Sequence, residues 1–274
     1  MRFTFFLKTI IESNMFFLSL AFKYIHYISY FFYPTEKDYL GLLKIFDKNF
    51  EDDIIDIGGN FGQSTISFIR LGFNKNKIHI FEPNKRIFSS LKIVKKKYKN
   101  IYIYNFGLSN KNIKKYLYTP VINNFFIYTE SSFNLKFLKQ HINYRFPKIK
   151  NKFTFKKEKS SLRKFDDLNS KISPKFIKID VESHEFEVIS GMKNTIKKYK
   201  PIILIEYNFR NFKKIYNKLK KNYDIYIYNL KKNKMINFKK NIIQILSKNK
   251  KITFENNEIG NVYLIPKKYD LAYE

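Results

Sequence analysis

Three glycines and one acid stand close together in the stretch IDIGGNFGQS, residues 55–64. Gly58, Gly59 and Gly62 lie within five positions, although the whole chain contains only 8 glycines. Glycine lets the backbone approach a ligand closely and adopt positive φ. The acid before them, Asp56, suits a cationic ligand better than a pyrophosphate. We therefore predict that this turn binds a cation, such as a sulfonium that also carries an amino group.

A second acid, Glu82, directly follows the apolar run KIHIF at residues 77–81. A carboxylate there is placed to accept hydrogen bonds from both hydroxyls of a ribose. A glycine turn followed by such an acid occurs in S-adenosylmethionine sites and in NAD sites. The spacing G-G-N-F-G differs from the G-x-G-x-x-G of a dinucleotide site, and the turn lacks the lysine of a phosphate-binding P-loop. The turn therefore favours S-adenosylmethionine, and an NAD-dependent oxidoreductase is the alternative.

Alternating strand and helix patterns surround these residues. Short apolar runs predict strands at residues 53–57, 77–81, 100–105, 175–179, 201–206, 223–228, 252–255 and 261–265. Helical periodicity predicts helices at residues 36–48, 63–71, 84–98, 185–199 and 209–221. Because strands and helices alternate, we expect a parallel sheet with helices on both faces. Ligands bind beyond the carboxyl ends of such strands, and Asn105, after the third strand, is predicted to flank an adenine.

The segment at residues 112–165 interrupts this alternation. It is polar, aromatic and weakly periodic, and it lies between two predicted strands. Such a segment is usually an insertion at a functional edge of the sheet or an extra hairpin. We therefore predict that it selects the substrate.

The first 33 residues are rich in aromatic and aliphatic side chains, with polar residues on one helical stripe. They lack the small-residue cleavage pattern of a secretory signal. A membrane span would place Lys23 and His26 near its middle, at a cost of about 2.5–3.5 kcal/mol for the lysine. We predict an amphipathic helical extension at residues 1–34, which packs on the domain or a partner subunit, or lies on a bilayer. Residues 35–274 are predicted to form the main domain.

The composition is strongly basic, with 53 Lys and Arg against 23 Asp and Glu and a net charge of +30. The lysines are spread along the chain together with Asn, Ile, Phe and Tyr, which indicates a codon bias and not one basic arm. We therefore do not expect a nucleic-acid partner. A basic nucleic-acid-binding or RNA-methylating protein, with steeply salt-dependent RNA binding, is the alternative. The chain has no cysteine, which excludes disulfides and cysteine-based zinc sites.

Five sequence blocks, in order, resemble the FkbM family of S-adenosylmethionine-dependent methyltransferases. The blocks are IDIGGNFGQST (55–65), HIFEPNKRIFSSL (79–91), SSLRKFDDL (160–168), FIKIDVESHEFEVISG (176–191) and KPIILIEYN (200–208). The resemblance implies a class I, Rossmann-like α/β fold with a mostly parallel seven-stranded sheet flanked by helices. It also implies methyl transfer, most often to oxygen, in natural-product or cell-surface glycan pathways. We therefore expect a cytoplasmic enzyme, with peripheral membrane contact as an alternative, whose acceptor is a hydroxyl of a sugar, a glycan or a related small metabolite.

The resemblance also assigns roles to single residues of the two βα turns. Asp56, Gly58, Asn60 and Gly62 would hold the methionine part of S-adenosylmethionine. Glu82 would hold its ribose. These residues, together with Asn105, are the predicted cofactor site.

A third group, Asp180, Glu182 and His184, is predicted to be catalytic. By the resemblance, the two acids would face the reacting centre. An alcohol acceptor must lose a proton, and the unperturbed pKa of histidine, near 6.5, suits a base at neutral pH. The family usually has glycine where this chain has Ser183. We predict no metal; the alternative is a magnesium site with three oxygen ligands, namely Asp180, Glu206 and Asn208.

Overall fold

The structure is a computed structural model that describes residues 34, 36–47, 49–168, 170–207, 209–238, 253–254, 257–258 and 260–269. The predicted extension at residues 1–34 therefore lies, apart from Pro34, outside the described residues. Asn208, one ligand of the alternative magnesium site, lies outside them as well. Within the described ranges, no helix is both long enough and apolar enough to cross a membrane.

Eight of the described strands form one mixed sheet at the centre of the fold. In spatial order they are β11 (Lys234–Asn237), β10 (Tyr223–Asn229), β14 (Asn261–Pro266), β9 (Ile202–Glu206), β8 (Pro174–Ile179), β1 (Asp53–Ile57), β2 (Ile78–Phe81) and β3 (Ile101–Tyr104). The strands from β9 to β3 pair in parallel, whereas β14, β10 and β11 pair antiparallel. The expected seven-stranded sheet is therefore wrong in its strand count.

The extra strand is β11, and its sequence explains why it was not predicted. The strand KMIN lies at the edge of the sheet, where Met235 and Ile236 are only half-buried. It therefore carries no continuous apolar run of the kind that predicts a buried strand. The predicted closing strand at residues 252–255 is present as β12 (Thr253–Phe254), but its place in the main sheet is wrong, because β12 pairs with β13 (Asn257–Glu258) in a separate two-stranded sheet.

Helices on both faces bury the central strands. The α-helices are α1 (Leu42–Ile45), α2 (Gln63–Phe68), α3 (Phe88–Lys97), α4 (Leu135–Arg145), α5 (Glu185–Gly191), α6 (Lys193–Tyr199) and α7 (Phe209–Leu219). Other helical turns are Lys37–Gly41, Ile69–Phe73, Tyr128–Glu130, Lys150–Lys152 and Phe165–Asp167. In β1, Ile55 and Ile57 pack into the apolar cluster that includes side chains of α5 and α7, whereas Ile54 packs into the cluster of α2 and α3. This two-sided burial matches the isoleucine-rich sequence of the strand.

The segment predicted to select the substrate contains most of a second sheet, of four strands. In spatial order these are β4 (Gly107–Leu108), β7 (Thr154–Arg163), β5 (Ile113–Ile122) and β6 (Phe125–Phe126). β5 and β6 are joined by Asn123 and Asn124, which both have positive φ, as a tight two-residue hairpin turn requires. Helix α4 packs its apolar side chains Leu138 and Ile142 against this unit.

The last strand of the main sheet, β14, is tied to the residues just before α1. The Tyr263 hydroxyl donates to the carbonyl oxygen of Asp38 at 2.6 Å, and the Asn261 backbone N–H donates to the Asp38 carboxylate at 3.2 Å. The Asn261 side-chain amide donates to the Glu36 carboxylate. These bonds fix Glu36 beside the carboxyl ends of the central strands.

Candidate active site

A cavity of about 500 Å³ lies at the carboxyl ends of β1, β2, β8 and β9. This volume is in the usual range for a small-molecule site. Six carboxylic acids line it: Glu36, Glu82, Glu130, Asp180, Glu182 and Glu206. The lysine and arginine side chains in the lining are those of Lys178 and Arg145. The protein thus carries a large positive net charge, but this cavity is predominantly acidic and suits a cationic ligand.

The glycine turn after β1 forms one wall of the cavity. Gly58 has a φ of 75°, and a Cβ atom added to it would lie 1.8 Å from the carbonyl oxygen of Asp180. Asn60 also has positive φ, and both residues line the cavity. Gly62 has a φ of 90° and begins α2, away from the cavity lining. Only glycine fits at Gly58, because the turn runs directly against the end of β8.

Asp56 is completely buried behind this turn, with 0% of its surface exposed. One carboxylate oxygen, Oδ2, accepts hydrogen bonds from the hydroxyls of Ser64 at 2.6 Å and Thr65 at 2.7 Å. The other, Oδ1, lies 3.4 Å from the ammonium of Lys178. These contacts fix the first turn of α2 against β1, and Asp56 does not line the cavity. Its direct contact with a ligand stays a prediction.

Glu82 lines the cavity at the end of β2 and is 6% exposed. Its Oε2 accepts from the backbone N–H of Asn60 at 3.0 Å, and its Oε1 accepts from that of Asn84 at 2.8 Å. Burial raises the pKa of this carboxyl to about 7, against the opposing effect of the two N–H bonds. The side-chain amide of Asn105 donates to the backbone carbonyl of Glu82 at 3.0 Å. Asn105 thus holds Glu82 but does not line the cavity, and its contact with an adenine stays a prediction.

Asp180, Glu182 and Glu206 form a cluster at the ends of β8 and β9. Each offers one carboxylate oxygen, and these oxygens all lie within 4.8 Å of one another. Burial, followed by the charge of Glu206, raises the pKa of Glu182 well above its ordinary value. Such a set of hard oxygen atoms could hold a divalent cation. The structure thus brings together two of the predicted catalytic residues with Glu206.

The loop after Asp180 has two consecutive left-handed residues, Glu182 with a φ of 49° and Ser183 with a φ of 77°. The Ser183 backbone N–H donates to the Glu185 carboxylate at 2.9 Å, and its carbonyl accepts from the Asn211 side chain at 3.1 Å. The left-handed region is costly for residues with a Cβ atom. The departure from glycine at position 183 therefore has a local cost, which this chain tolerates through those bonds.

We expect the substitution Ser183→Gly to raise the free energy of unfolding by roughly 0.5 to 1 kcal/mol. Relief of the left-handed strain contributes about 1–2 kcal/mol, and the greater freedom of glycine in the unfolded chain offsets part of it. The matched change Ser89→Gly, at an exposed site in α3, should lower stability instead. Urea unfolding of the three proteins measures both effects. A less stable Ser183→Gly protein would contradict the strain assigned to this loop.

His184 lines the cavity and is 9% exposed. Its Nε2 lies 3.0 Å from the hydroxyl of Ser109, and its Nδ1 lies 3.7 Å from the Glu187 carboxylate. Burial lowers the pKa of this histidine to about 4, with a further lowering by Lys115 and an opposing effect of Glu187. The ring is therefore neutral at neutral pH, but a pKa near 4 makes it a weaker base than the unperturbed value near 6.5 on which the prediction rests. The predicted role as a base stays a prediction.

Sequence reasoning missed Lys178, which is 4% exposed near the carboxyl end of the buried strand β8. Its ammonium donates to the carbonyl oxygen of Gly58 at 2.9 Å and lies 3.4 Å from the carboxylates of Asp56 and Asp180. Burial opposes the charged form, but Asp180, Asp56 and Glu36 raise the pKa of Lys178 above its ordinary value. The available signal was a lysine between isoleucines in a strand, two residues before a predicted site acid.

Glu130, in the helical turn that follows β6, was also missed. It is 3% exposed, and its carboxylate lies 2.6 Å from a guanidinium nitrogen of Arg145 and 2.8 Å from Nε2 of His141. Burial favours the protonated form, but bonds from these two residues hold the pKa of Glu130 below its ordinary value. No sequence pattern marked this group, because Glu130 lies in a helical turn, whereas His141 and Arg145 lie on α4, within a weakly periodic segment.

Solved structures of two methyltransferases are similar to this chain. Methyltransferase FkbM from Methylobacillus flagellatus KT is 17% identical, with a TM-score of 0.51 over 85% of this chain and 47% of that chain. The chain thus spans about half the length of that protein, and the likeness shows a shared α/β fold. Precorrin-6y C5,15-methyltransferase from Geobacter metallireducens GS-15 is 13% identical, with a TM-score of 0.38 over 83% of this chain and 84% of that chain.

The sequence itself matches one family. No curated protein matches the chain. The methyltransferase FkbM domain, however, matches residues 56–249, which is more than half of the chain. This match confirms the resemblance seen in the five sequence blocks, and it includes the glycine turn, Glu82 and the acids at the ends of β8 and β9. The chain belongs to the methyltransferase FkbM domain family.

Proposed function

We propose that this protein is an S-adenosylmethionine-dependent methyltransferase that methylates a hydroxyl of a sugar, a glycan or a related small metabolite. The observation that carries the proposal is the pairing of the Gly58 turn with the buried carboxylate of Glu82 in one acidic cavity. A turn without side-chain volume allows the close approach of a ligand. The cofactor is a cation at both its sulfonium and its amino group, so the acidic lining fits it.

Different residues of the cavity would bind different parts of the cofactor. Gly58 and Asn60 would contact the methionine part, and Glu82 would accept hydrogen bonds from the ribose hydroxyls. When bound, S-adenosylmethionine supplies a methyl group on a sulfonium, which is open to in-line attack. The protein therefore mainly has to align the acceptor oxygen with that carbon. Asp180 and the neighbouring acids can accept the proton that the hydroxyl loses.

The segment at residues 112–165, through the turns and the helix beside its sheet, would supply the acceptor side of the cavity. Tyr128, Phe133 and Phe146 line it with aromatic surface, and Glu130 and Arg145 add polar groups. Aromatic rings offer apolar surface to the C–H faces of a sugar, while charged groups form strong hydrogen bonds with hydroxyls. This combination supports a polyhydroxylated acceptor.

Isothermal titration calorimetry with S-adenosylhomocysteine tests the cofactor assignment. We expect one site per chain with a dissociation constant well below millimolar, and no comparable binding of NADH. Absence of binding at millimolar S-adenosylhomocysteine would remove the proposal, and preferential binding of NADH would support the oxidoreductase alternative. Transfer of a labelled methyl group to a panel of sugars and glycans then tests the acceptor class.

A further inference from the structure

Lys178 contacts three groups that belong to different parts of the cavity. Its ammonium donates to the backbone carbonyl of Gly58 at 2.9 Å. It also lies 3.4 Å from the carboxylate of Asp56, behind the turn, and 3.4 Å from that of Asp180, at the end of its own strand. With 4% exposure, the side chain is almost enclosed by these partners. One buried cation thus joins the glycine turn to the predicted catalytic edge.

Apart from Lys178, hydrogen bonds of three backbone N–H groups hold the glycine turn: Gly58 to Phe81, Asn60 to the Glu82 carboxylate, and Gly62 to the Gly59 carbonyl. Gly58 has positive φ and no side chain, so its conformation depends on backbone contacts. Its N–H donates to the carbonyl of Phe81 at 3.0 Å, and its carbonyl accepts from Lys178. Asp56 holds the next element through the hydroxyls of Ser64 and Thr65. Lys178 therefore bonds to the turn directly and to the acid that anchors the helix after it.

We propose that Lys178 is a positioning residue that holds the glycine turn in the conformation that receives the methionine part of the cofactor. This inference deepens the proposed function and rests on it. Without the ammonium, the half-buried Gly58 carbonyl would lose its donor, and a polar group that is shielded from water without a partner is unfavourable. Asp56 and the half-exposed Asp180 would also lose the cation between them, and for the fully buried Asp56 a carboxylate without a counter-charge is strongly unfavourable. Both effects favour displacement of the turn.

A positioning role and a merely structural role predict different ligand profiles. S-adenosylhomocysteine contains the amino-acid part, the ribose and the adenine, whereas 5′-methylthioadenosine lacks the amino-acid part. If Lys178 acts through the turn, its loss should weaken the binding of S-adenosylhomocysteine. The binding of 5′-methylthioadenosine, whose ribose Glu82 still holds, should be unchanged. If Lys178 only stabilises the fold, both ligands should be affected alike. Both ligands have a neutral thioether in place of the sulfonium. The comparison therefore avoids the attraction between a sulfonium and the acids that lose their counter-charge when Lys178 is replaced.

The test is calorimetry of both ligands with the full chain and the variants Lys178→Met and Lys175→Met. Lys175 is the matched control, because it is an exposed lysine on the same strand. For Lys178→Met we expect the dissociation constant of S-adenosylhomocysteine to rise at least tenfold and that of 5′-methylthioadenosine to change less than threefold. For Lys175→Met both constants should stay within twofold of the unchanged protein.

Circular dichroism first establishes that each variant is folded at the temperature of the titration. If Lys178→Met does not fold, the double variant Asp56→Asn with Lys178→Met removes one uncompensated charge, and the same selective loss is expected. An equal loss for both ligands, or an unchanged affinity for S-adenosylhomocysteine, would overturn the positioning role and leave the proposed function standing. Failure of the unchanged protein to bind S-adenosylhomocysteine would overturn the proposed function and this inference together.

Discussion

Replacing Glu82 with alanine is expected to weaken the binding of S-adenosylhomocysteine by roughly 10²- to 10⁴-fold. The backbone N–H groups of Asn60 and Asn84 each bond to one oxygen of this carboxylate, which fixes its direction and leaves lone pairs for two ribose hydroxyls. A hydrogen bond to a charged group contributes about 1.5–3 kcal/mol, so two such bonds account for the expected loss. Calorimetry measures it directly.

The matched control for this change is Glu51→Ala. Glu51 lies just before β1, at the opposite end of that strand, and its side chain is 58% exposed beside Lys75. An exposed ion pair of this kind contributes about 0–1 kcal/mol to stability and nothing to a distant site. We expect the affinity of the Glu51→Ala variant for S-adenosylhomocysteine to stay within twofold of that of the unchanged protein. If Glu82→Ala behaved like Glu51→Ala, the assignment of the ribose to Glu82 would be wrong.

The raised pKa of Glu82, about 7, adds a pH dependence to the same measurement. Ribose hydroxyls donate to the ionised carboxylate, so affinity should be roughly tenfold weaker at pH 6 than at pH 8. In the Glu82→Ala variant, this difference in affinity between pH 6 and pH 8 should disappear. The pH dependence of stability has the opposite sign to that of ligand affinity. Between pH 4.5 and about 7, the carboxyl of Glu82 keeps a proton in the native state that it has lost in the unfolded state. The contribution of this group to the free energy of unfolding therefore falls as pH rises through that window.

The second large effect is expected for Gly58→Ala. The new Cβ atom would lie 1.8 Å from the carbonyl oxygen of Asp180, which is a backbone atom of an adjacent central strand and cannot turn aside. The turn must therefore move away from β8. A misplacement of about 1 Å in a binding site costs roughly 10²-fold. We expect the affinity for S-adenosylhomocysteine to fall at least that much, together with a lower melting temperature.

The variant Gly72→Ala is the control for Gly58→Ala. It separates the effect of the Cβ atom's collision with Asp180 from the effect of the backbone strain at positive φ. Gly72 has a φ of 106°, and a Cβ atom there would meet nothing within 4 Å. Both variants should lose stability because alanine disfavours positive φ. Only Gly58→Ala should lose affinity for the ligand. Equal affinities in the two variants would show that the close approach of the turn to β8 does not matter for binding.

The parts of the fold that the sequence predicts best are the strands buried on both faces. β1 and β8 have apolar runs closed by glycine or an acid, and both lie within one residue of their predicted bounds. The edge strand β11 has no such run, because an edge strand with one covered face needs few apolar residues. The second sheet was predicted only as an insertion or an extra hairpin, since its pairing of β5 with β7 joins residues about forty positions apart.

The candidate site was predictable where its chemistry is local in sequence. Gly58, Asn60, Glu82, Asp180, Glu182 and His184 all line the cavity, and each follows a strand of the parallel sheet at its carboxyl end. Three other residues line the same cavity but do not follow a strand at its carboxyl end, namely Lys178, Glu36 and Glu130. Lys178 lies near the end of a strand, Glu36 lies before the first helix, and Glu130 lies in the helical turn Tyr128–Glu130. Lys178 is two residues before Asp180, but its contact with the glycine turn, like the positions of Glu36 and Glu130, depends on which elements become neighbours, and spacing along the chain does not contain that information.

The bonds between β14 and the segment before α1 have a consequence for biosynthesis. Asn261 and Tyr263 contact Glu36 and Asp38 across 225 positions. A ribosome that adds about 5–20 residues per second needs roughly 10 to 45 s to make the chain between them. For most of that interval, once residue 62 has been added, the nascent polypeptide contains the glycine turn but not the strand that fixes Glu36. Translation that stops before codon 261 would therefore release a protein whose ligand pocket has one wall unsecured.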